Sequence, residues 1–164
     1  MKNLYIVAAL LVTQSVLAAD SVAPAPNGIV LPTDYKDWRV ISVLRRTDND
    51  TLRVIVGNDR AIRAVREGQT KPWPNGATIG KLVWRTKTRP EWGDSIVPDK
   101  FQEVEFIFKD SEKFSTTGGW GFAKWLGKKQ TPYGDDAHFV LECFGCHTLA
   151  KENDYVFVEP APLP

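Results

Sequence analysis

The sequence predicts an α+β fold made mainly of antiparallel β-sheet with a few helices. Short β-branched runs that end at turn residues dominate the chain, and helical periodicity is confined to brief segments. No internal repeat or low-complexity tract is present, and 164 residues are enough for one domain with a real core. We therefore expect one domain over residues 20–164, preceded by a separate N-terminal segment.

Five strands are predicted, at 39–44, 51–57, 77–85, 104–108 and 154–158. The second run is rich in Val, Ile and Thr and ends at a Gly-Asn-Asp turn cluster. A polar loop separates it from the first, so these two strands should pair as a hairpin.

Three helical segments are predicted. Asp59 is placed to cap a helix over 60–67, which Gly68 ends, and residues 34–38 suffice for a single turn. Near the C-terminus, Asp135 or Asp136 should cap a segment over 137–147.

The charge balance excludes some classes of partner. Twenty-one Lys and Arg oppose 20 Asp and Glu, which leaves a formal charge of +1. The chain therefore lacks the excess of positive charge that is typical of proteins that bind nucleic acid or an anionic membrane surface. We expect no nucleic-acid partner.

The N-terminus has the pattern of a secretory signal peptide. Lys2 supplies a positive start, residues 4–12 are apolar, and small residues follow at 15–19. The apolar stretch is too short to span a bilayer, so a retained anchor is the weaker alternative. We expect residues 1–19 to be removed, with cleavage after Ala18 or Ala19, and the mature form to have no membrane span.

Cys143, Cys146 and His147 form a C-F-G-C-H motif, the signature of covalent haem attachment. The thiols add to the two vinyl groups of the porphyrin, and the histidine becomes an axial ligand of the iron. The chain's two cysteines both lie in this motif. The alternatives are a disulfide, a redox-active thiol pair and half of a zinc site. A redox pair needs no histidine there, and zinc needs further ligands that two Cys and two His barely supply.

We therefore expect one covalent haem c held by the C-terminal segment. Because covalent attachment requires export and reduced thiols, the predicted compartment is the bacterial periplasm, where a redox partner would meet the protein.

The second axial position of the iron has few candidate ligands. The single methionine is Met1, which leaves with the signal peptide, so His/Met ligation is excluded in the mature chain. His138 lies nine residues before His147 and would have to wrap around the haem edge to reach its other face. A five-coordinate iron with an open face follows by elimination, and such an iron binds small molecules.

The order of these features and of several shorter motifs resembles the cytochrome P-460 family, which includes the cytochromes c′-beta. The resemblance covers nearly the whole mature chain, and its motifs lie at residues 31–38, 76–81, 109–111, 118–122 and 143–147. It implies that residues 20–164 are a haem c domain of this type, mainly antiparallel sheet, with a five-coordinate iron in a homodimer.

The resemblance also implies roles for two charged residues. Lys81 is similar to the lysine that is cross-linked to the porphyrin in hydroxylamine-oxidising members, and Glu105 to their distal proton-relaying carboxylate. Strand alternation places Lys81 with apolar neighbours, where it points into a pocket or extends its amine to water. The same alternation groups Glu105 with Glu103 and Lys109, which predicts a solvated residue.

Phe101, Phe106 and Phe108 are candidates for lining the pocket, with plain core packing as the alternative. Three functions follow. The first, which we favour because it demands fewest assumptions, is binding of a small nitrogen oxide such as nitric oxide. The second is oxidation of hydroxylamine, which also needs Lys81 and Glu105. The third, simple electron transfer, lacks a good sixth ligand.

Overall fold

The computed structural model describes residues 22–162, so the predicted signal peptide lies outside the described residues. One antiparallel six-stranded sheet forms the frame, and its strands follow one another in chain order. The strands are β1 (Arg39–Arg46), β2 (Thr51–Gly57), β3 (Thr78–Arg89), β4 (Ser95–Lys109), β5 (Trp120–Leu126) and β6 (Thr131–Pro132). Two α-helices accompany the sheet within residues 22–162, α1 (Asp59–Arg66) and α2 (Val140–His147). The α+β prediction is confirmed.

Short 3-10 turns join these elements, at Tyr35–Asp37, Pro90–Trp92, Ser115–Thr117, Ala137–Phe139 and Thr148–Asn153. The predicted hairpin of the first two strands is confirmed, with Arg46 opposite Thr51 and an irregularity between Val40 and Ser42. The predicted strands at 77–85 and 104–108 are present and longer than expected, because β3 and β4 form an extended hairpin with each other.

The prediction of a strand at 154–158 is wrong. Asp154 and Tyr155 both have left-handed backbone conformations, with φ of 53° and 64°, which no strand accommodates. The fifth strand of the sheet is instead β5, which pairs with β4 from Glu103 opposite Leu126 to Lys109 opposite Trp120. β5 is absent from the predicted strands, and the three glycines within residues 118–121 weaken the strand pattern at its start.

The helical predictions are largely correct. The cap of α1 is Asn58, whose side chain accepts the Ala61 N–H at 2.9 Å, so Asp59 was the wrong cap by one residue. Asp136 begins the C-terminal helical segment and accepts the His138 N–H at 2.8 Å, as predicted. Within residues 22–162, no helix has the length and apolar character needed to cross a membrane.

Each face of the sheet carries its own apolar core. The front-face core includes Ile55, Ile79 and Phe122 and is covered by α1 and by the chain after α2. The back-face core includes Phe106 and Trp125 and is covered by the chain before β1. Because side chains alternate along a strand, neighbouring residues of β4 and β5 serve opposite cores. Because both faces of the sheet are covered, the alternation of apolar and polar residues does not by itself show which side chains are exposed to solvent.

Gly80 lies where β3 passes directly over the back-face core. A Cβ added there would stand 2.6 Å from the Phe106 ring and 3.1 Å from Val56. We expect Gly80→Ala to lower the free energy of unfolding by about 1–3 kcal/mol, since the aromatic ring has to shift. Urea denaturation measures the change. In the control Gly145→Ala, the added methyl group meets nothing within 4 Å, and stability should hold or rise. Equal losses in both variants would contradict the proposed close approach.

Candidate functional site

A row of charged side chains crosses the middle of the front face. Ile55 of β2 pairs with Lys81 of β3, Lys81 with Glu105 of β4, and Glu105 with Lys124 of β5. Directly opposite residues on one face of a sheet have neighbouring side chains. Three strands therefore contribute alternating charges to one row beneath the C-terminal segment.

Glu105 lies at the centre of this row. One carboxylate oxygen is 2.5 Å from the Lys81 ammonium, and the other is 3.7 Å from the Lys124 ammonium, which also binds Glu103 at 2.9 Å. Burial raises the pKa of Glu105, but the Lys81 charge and hydrogen bond outweigh it, and the net pKa is lowered. Glu105 is thus an ionised, ion-paired carboxylate, and the prediction of a solvated residue is wrong.

His147, at the end of α2, is held by its neighbours in one orientation. Its ring stacks edge-on against Phe122 and Phe157, with centroids 5.0 and 5.3 Å away. Its Nδ1 lies 2.6 Å from the Tyr155 carbonyl oxygen. A carbonyl only accepts, so Nδ1 carries the proton and Nε2 keeps a free lone pair. Burial lowers the pKa of His147, which favours the neutral ring that a metal requires.

Two adjoining cavities bring these groups together. The larger, about 340 Å³, lies between the sheet and the C-terminal segment, and the smaller, about 230 Å³, continues toward α2. Both are lined by Lys81, Glu105, Ile107, Cys146 and His147. The wall of the larger cavity is otherwise mostly apolar, with Leu44, Ile55, Ile79, Val156, Phe157 and Val158.

The two cysteines lie at the rim of the same space. Both thiols are free; Cys143 is partly buried and Cys146 is exposed. Burial raises the pKa of the Cys143 thiol. Within the described residues, no group of three or more His, Cys, Asp or Glu side chains is arranged to hold a metal ion by itself.

The predicted aromatic lining is distributed differently from our expectation. Phe106 is only 1% exposed and packs against Tyr35 and Trp125 in the back-face core. Phe101 and Phe108 pack against the same back-face core. Core packing, the alternative considered, accounts for Phe101 and Phe108. Phe106 belongs to the same core and also contributes to the lining of the smaller cavity, as predicted.

His138 is separated from the cavity. Its side chain is 83% exposed, and its ring lies 3.3 Å from the Asp136 carboxylate. The two histidines of the chain thus have different surroundings, and His147 is the one that lines the cavities.

Several residues of the site had not been predicted. Lys124 lies on β5, and recognition of that strand by its alternation from Trp120 to Leu126 would have placed it in the row. Arg46 and Arg53 line the larger cavity from the first hairpin, where only the pairing of distant strands brings them. Tyr155 acts through its carbonyl oxygen, for which a sequence carries no signal.

The donor set of the site fits a haem. His147 offers a neutral imidazole whose Nδ1 is already bonded to an acceptor, the arrangement that metal-bound histidines adopt. The free thiols of Cys143 and Cys146 lie within the same short helix. The apolar wall suits a flat, mostly apolar macrocycle, and residues 22–162 contain the cavity that it would enter.

The ion pair at the centre of the row has a pH-dependent effect on stability. Because the pKa of Glu105 is lowered on folding, its contribution is present above about pH 4.5 and is lost as the pH falls below that value. We expect Glu105→Gln to lower the free energy of unfolding by about 1–3 kcal/mol at pH 7. The difference from the wild type should narrow below about pH 4.5, as the wild-type carboxylate takes up a proton. Denaturation at several pH values measures this.

Glu91→Gln is the matched control for this measurement. The Arg89–Glu91 pair is exposed, with the glutamate side chain at 61%, so its loss should change stability by less than about 0.5 kcal/mol. A Glu105→Gln variant no less stable than this control at pH 7 would contradict the assigned ion pair.

Comparison with known proteins agrees with the site. The family profile described as Cytochrome P460 matches residues 32–158, a span that includes the charged row, both cysteines and His147. A search of curated proteins finds no match. Since the profile covers most of the chain, from the first 3-10 turn to the wall of the larger cavity, the protein belongs to the cytochrome P460 family and is a haem cytochrome.

Proposed function

We propose that the protein is an exported mono-haem c cytochrome that binds nitric oxide or a similar small nitrogen oxide. Cys143 and Cys146 would hold the haem covalently, and His147 would be its one protein ligand. Bound there, the haem supplies an iron with an open coordination position. Export, a periplasmic redox partner and a homodimer belong to the same proposal, and they rest on the sequence and the family resemblance.

The observation that carries this proposal is the difference between the two histidines. His147 lines the cavities with a free Nε2, whereas His138 is exposed beside Asp136. The only methionine lies in the predicted signal peptide. A second strong axial ligand is thus missing from the candidates, which favours ligand binding over simple electron transfer.

The walls of the larger cavity suit a small uncharged ligand. Ile55, Ile79 and Val156 give it an apolar wall. Lys81 and Lys124 of the charged row are paired with Glu105 and Glu103, so the row itself carries no net charge. Arg46 and Arg53 also line this cavity, and their positive charge neither attracts nor repels an uncharged ligand. Nitric oxide and hydroxylamine are both uncharged, so charge does not separate them.

Oxidation of hydroxylamine is the second candidate, because Lys81 and Glu105 line the same cavities as His147. Two features weaken it. A general base works best with a pKa near the working pH, whereas the Lys81 charge lowers the pKa of Glu105. The Lys81 amine is also bound to Glu105, and an ammonium in an ion pair has no lone pair with which to attack a porphyrin carbon.

Nitric oxide binding is tested on the purified, reduced holoprotein. We expect the absorption spectrum to change on addition of nitric oxide, with one equivalent bound per chain, because the proposed ligation by His147 alone leaves one axial position of the iron open. No spectral change at several equivalents would contradict the proposed function.

The mass of the haem peptide separates the two candidates. After proteolysis, we expect the peptide that contains Cys143, Cys146 and His147 to carry one haem and the Lys81 peptide to be released free. Lys81→Met is the control, since it cannot form a cross-link and should give the same haem peptide. A wild-type haem peptide heavier by the Lys81 peptide would favour the enzyme instead.

A further inference from the structure

The chain after α2 reverses direction through two consecutive residues with left-handed backbone. Asp154 has φ of 53° and Tyr155 has φ of 64°, and neither is a glycine. Each such residue costs on the order of 1–2 kcal/mol, so other contacts have to hold this Asp154–Tyr155 turn in place. The carbonyl that the turn presents is the one that accepts the Nδ1–H of His147, at 2.6 Å.

Lys109, the last residue of β4, binds this turn through Asp154. Its ammonium lies 2.8 Å from Asp154 Oδ1, and the two side chains are only 7% and 12% exposed. Neither residue of the pair lines the two cavities. Removal of one partner would leave the other charge buried and uncompensated.

Two further hydrogen bonds fix Asp154. The Trp73 N–H donates to Oδ2 at 2.8 Å, and the Trp120 indole N–H donates to the Asp154 carbonyl at 2.7 Å. The Lys109 ammonium also lies 5.0 Å from the centre of the Trp120 ring. Both carboxylate oxygens and the backbone carbonyl of Asp154 are therefore engaged, by β4, by β5 and by the loop before β3.

These contacts fix a direction as well as a position. A buried ion pair is often no more stabilising than apolar side chains of similar size. Apolar packing would therefore suffice to attach the turn to β4. Two donors on the two oxygens of one carboxylate, with a third on its carbonyl, set the rotation of the turn. The acceptor for His147 is a backbone carbonyl, and a carbonyl has no rotamer of its own. The orientation of the Tyr155 carbonyl therefore depends on the conformation of the Asp154–Tyr155 turn.

We infer that Lys109, Asp154 and Trp120 are positioning residues for His147. They hold the Tyr155 carbonyl against Nδ1, which fixes the protonated nitrogen and the plane of the ring. The acceptor on the second nitrogen of a metal-bound histidine makes the ring a stronger donor. The inference rests on the proposed function, because His147 is the iron ligand there.

The test uses the holoprotein with two conservative changes. Lys109→Met keeps the length of the side chain and removes its charge, and Asp154→Asn keeps its shape at a φ that asparagine tolerates. If the Tyr155 carbonyl is displaced, the hydrogen bond from Nδ1 weakens, and the imidazole donates less electron density to the iron through Nε2. In both variants we expect a lower iron–histidine stretching frequency in the ferrous protein. We also expect the equilibrium between ferric and ferrous iron to shift about tenfold toward the ferrous form, which is a rise of about 59 mV in the reduction potential.

Two tryptophans of β5 provide a matched control. Trp120 and Trp125 are both fully buried, and each donates its indole N–H to a backbone carbonyl, of Asp154 at 2.7 Å and of Ala23 at 2.9 Å. Only Trp120 touches the turn, since Trp125 lies in the back-face core. We expect Trp120→Phe to shift the frequency and the potential, and Trp125→Phe to leave both unchanged. The comparison of Trp120→Phe with Trp125→Phe tests the positioning role even if the Lys109→Met variant does not fold.

Two results would overturn the inference. One is loss of stability in these variants with the frequency and potential at wild-type values. The other is an equal shift in Trp120→Phe and Trp125→Phe, which would indicate general loosening. A wild-type protein without an iron–histidine signal would overturn the proposed function together with this inference. A normal wild-type signal that none of the variants alters would overturn this inference alone.

Discussion

The hydrogen bond from His147 Nδ1 to the Tyr155 carbonyl, at 2.6 Å, is the interaction on which the site depends. It closes the C-terminal segment on itself across the front face of the sheet. It assigns the proton to Nδ1 and leaves Nε2 free for a metal. The cavities exist because this closed segment covers the charged row without filling the space above it.

The covering segment also determines how the charged row behaves. On an open sheet, Lys81 and Glu105 would form a surface pair of little consequence. Beneath the segment their side chains are 29% and 26% exposed, so each charge needs its partner. The mutual neutralisation that stabilises this row also opposes acid–base chemistry. For this reason we propose binding of a neutral ligand rather than proton abstraction from one.

The fold class, the first hairpin and the cap by Asp136 could be predicted from the sequence, because local patterns of turns and polar residues determine them. The haem motif could be predicted because its chemistry fixes the spacing of Cys143, Cys146 and His147. The environment of Glu105 could not, since alternation distinguishes two faces without showing what covers them. The same limit applies to Phe106, whose apolar character suits a pocket wall and a closed core equally.

The turn after α2 shows a different limit. Residues 154–158 are rich in Val and aromatic side chains, so β propensity predicts a strand. Tertiary contacts from Lys109 and Trp120 to Asp154 impose a left-handed turn instead. Lys109 and Trp120 are 45 and 34 residues from Asp154 in the sequence, so a local sequence pattern does not reveal these contacts.

We propose that His147 is the one protein ligand of the haem iron and that the second axial position is open. The coordination state of the reduced holoprotein without added ligand, determined by resonance Raman spectroscopy, tests it most directly. We expect a five-coordinate, high-spin iron, and the same spectrum from His138→Ala, because that side chain is exposed beside Asp136. A six-coordinate spectrum in the wild type would contradict an open axial position, and its loss in His138→Ala would identify His138 as the second ligand.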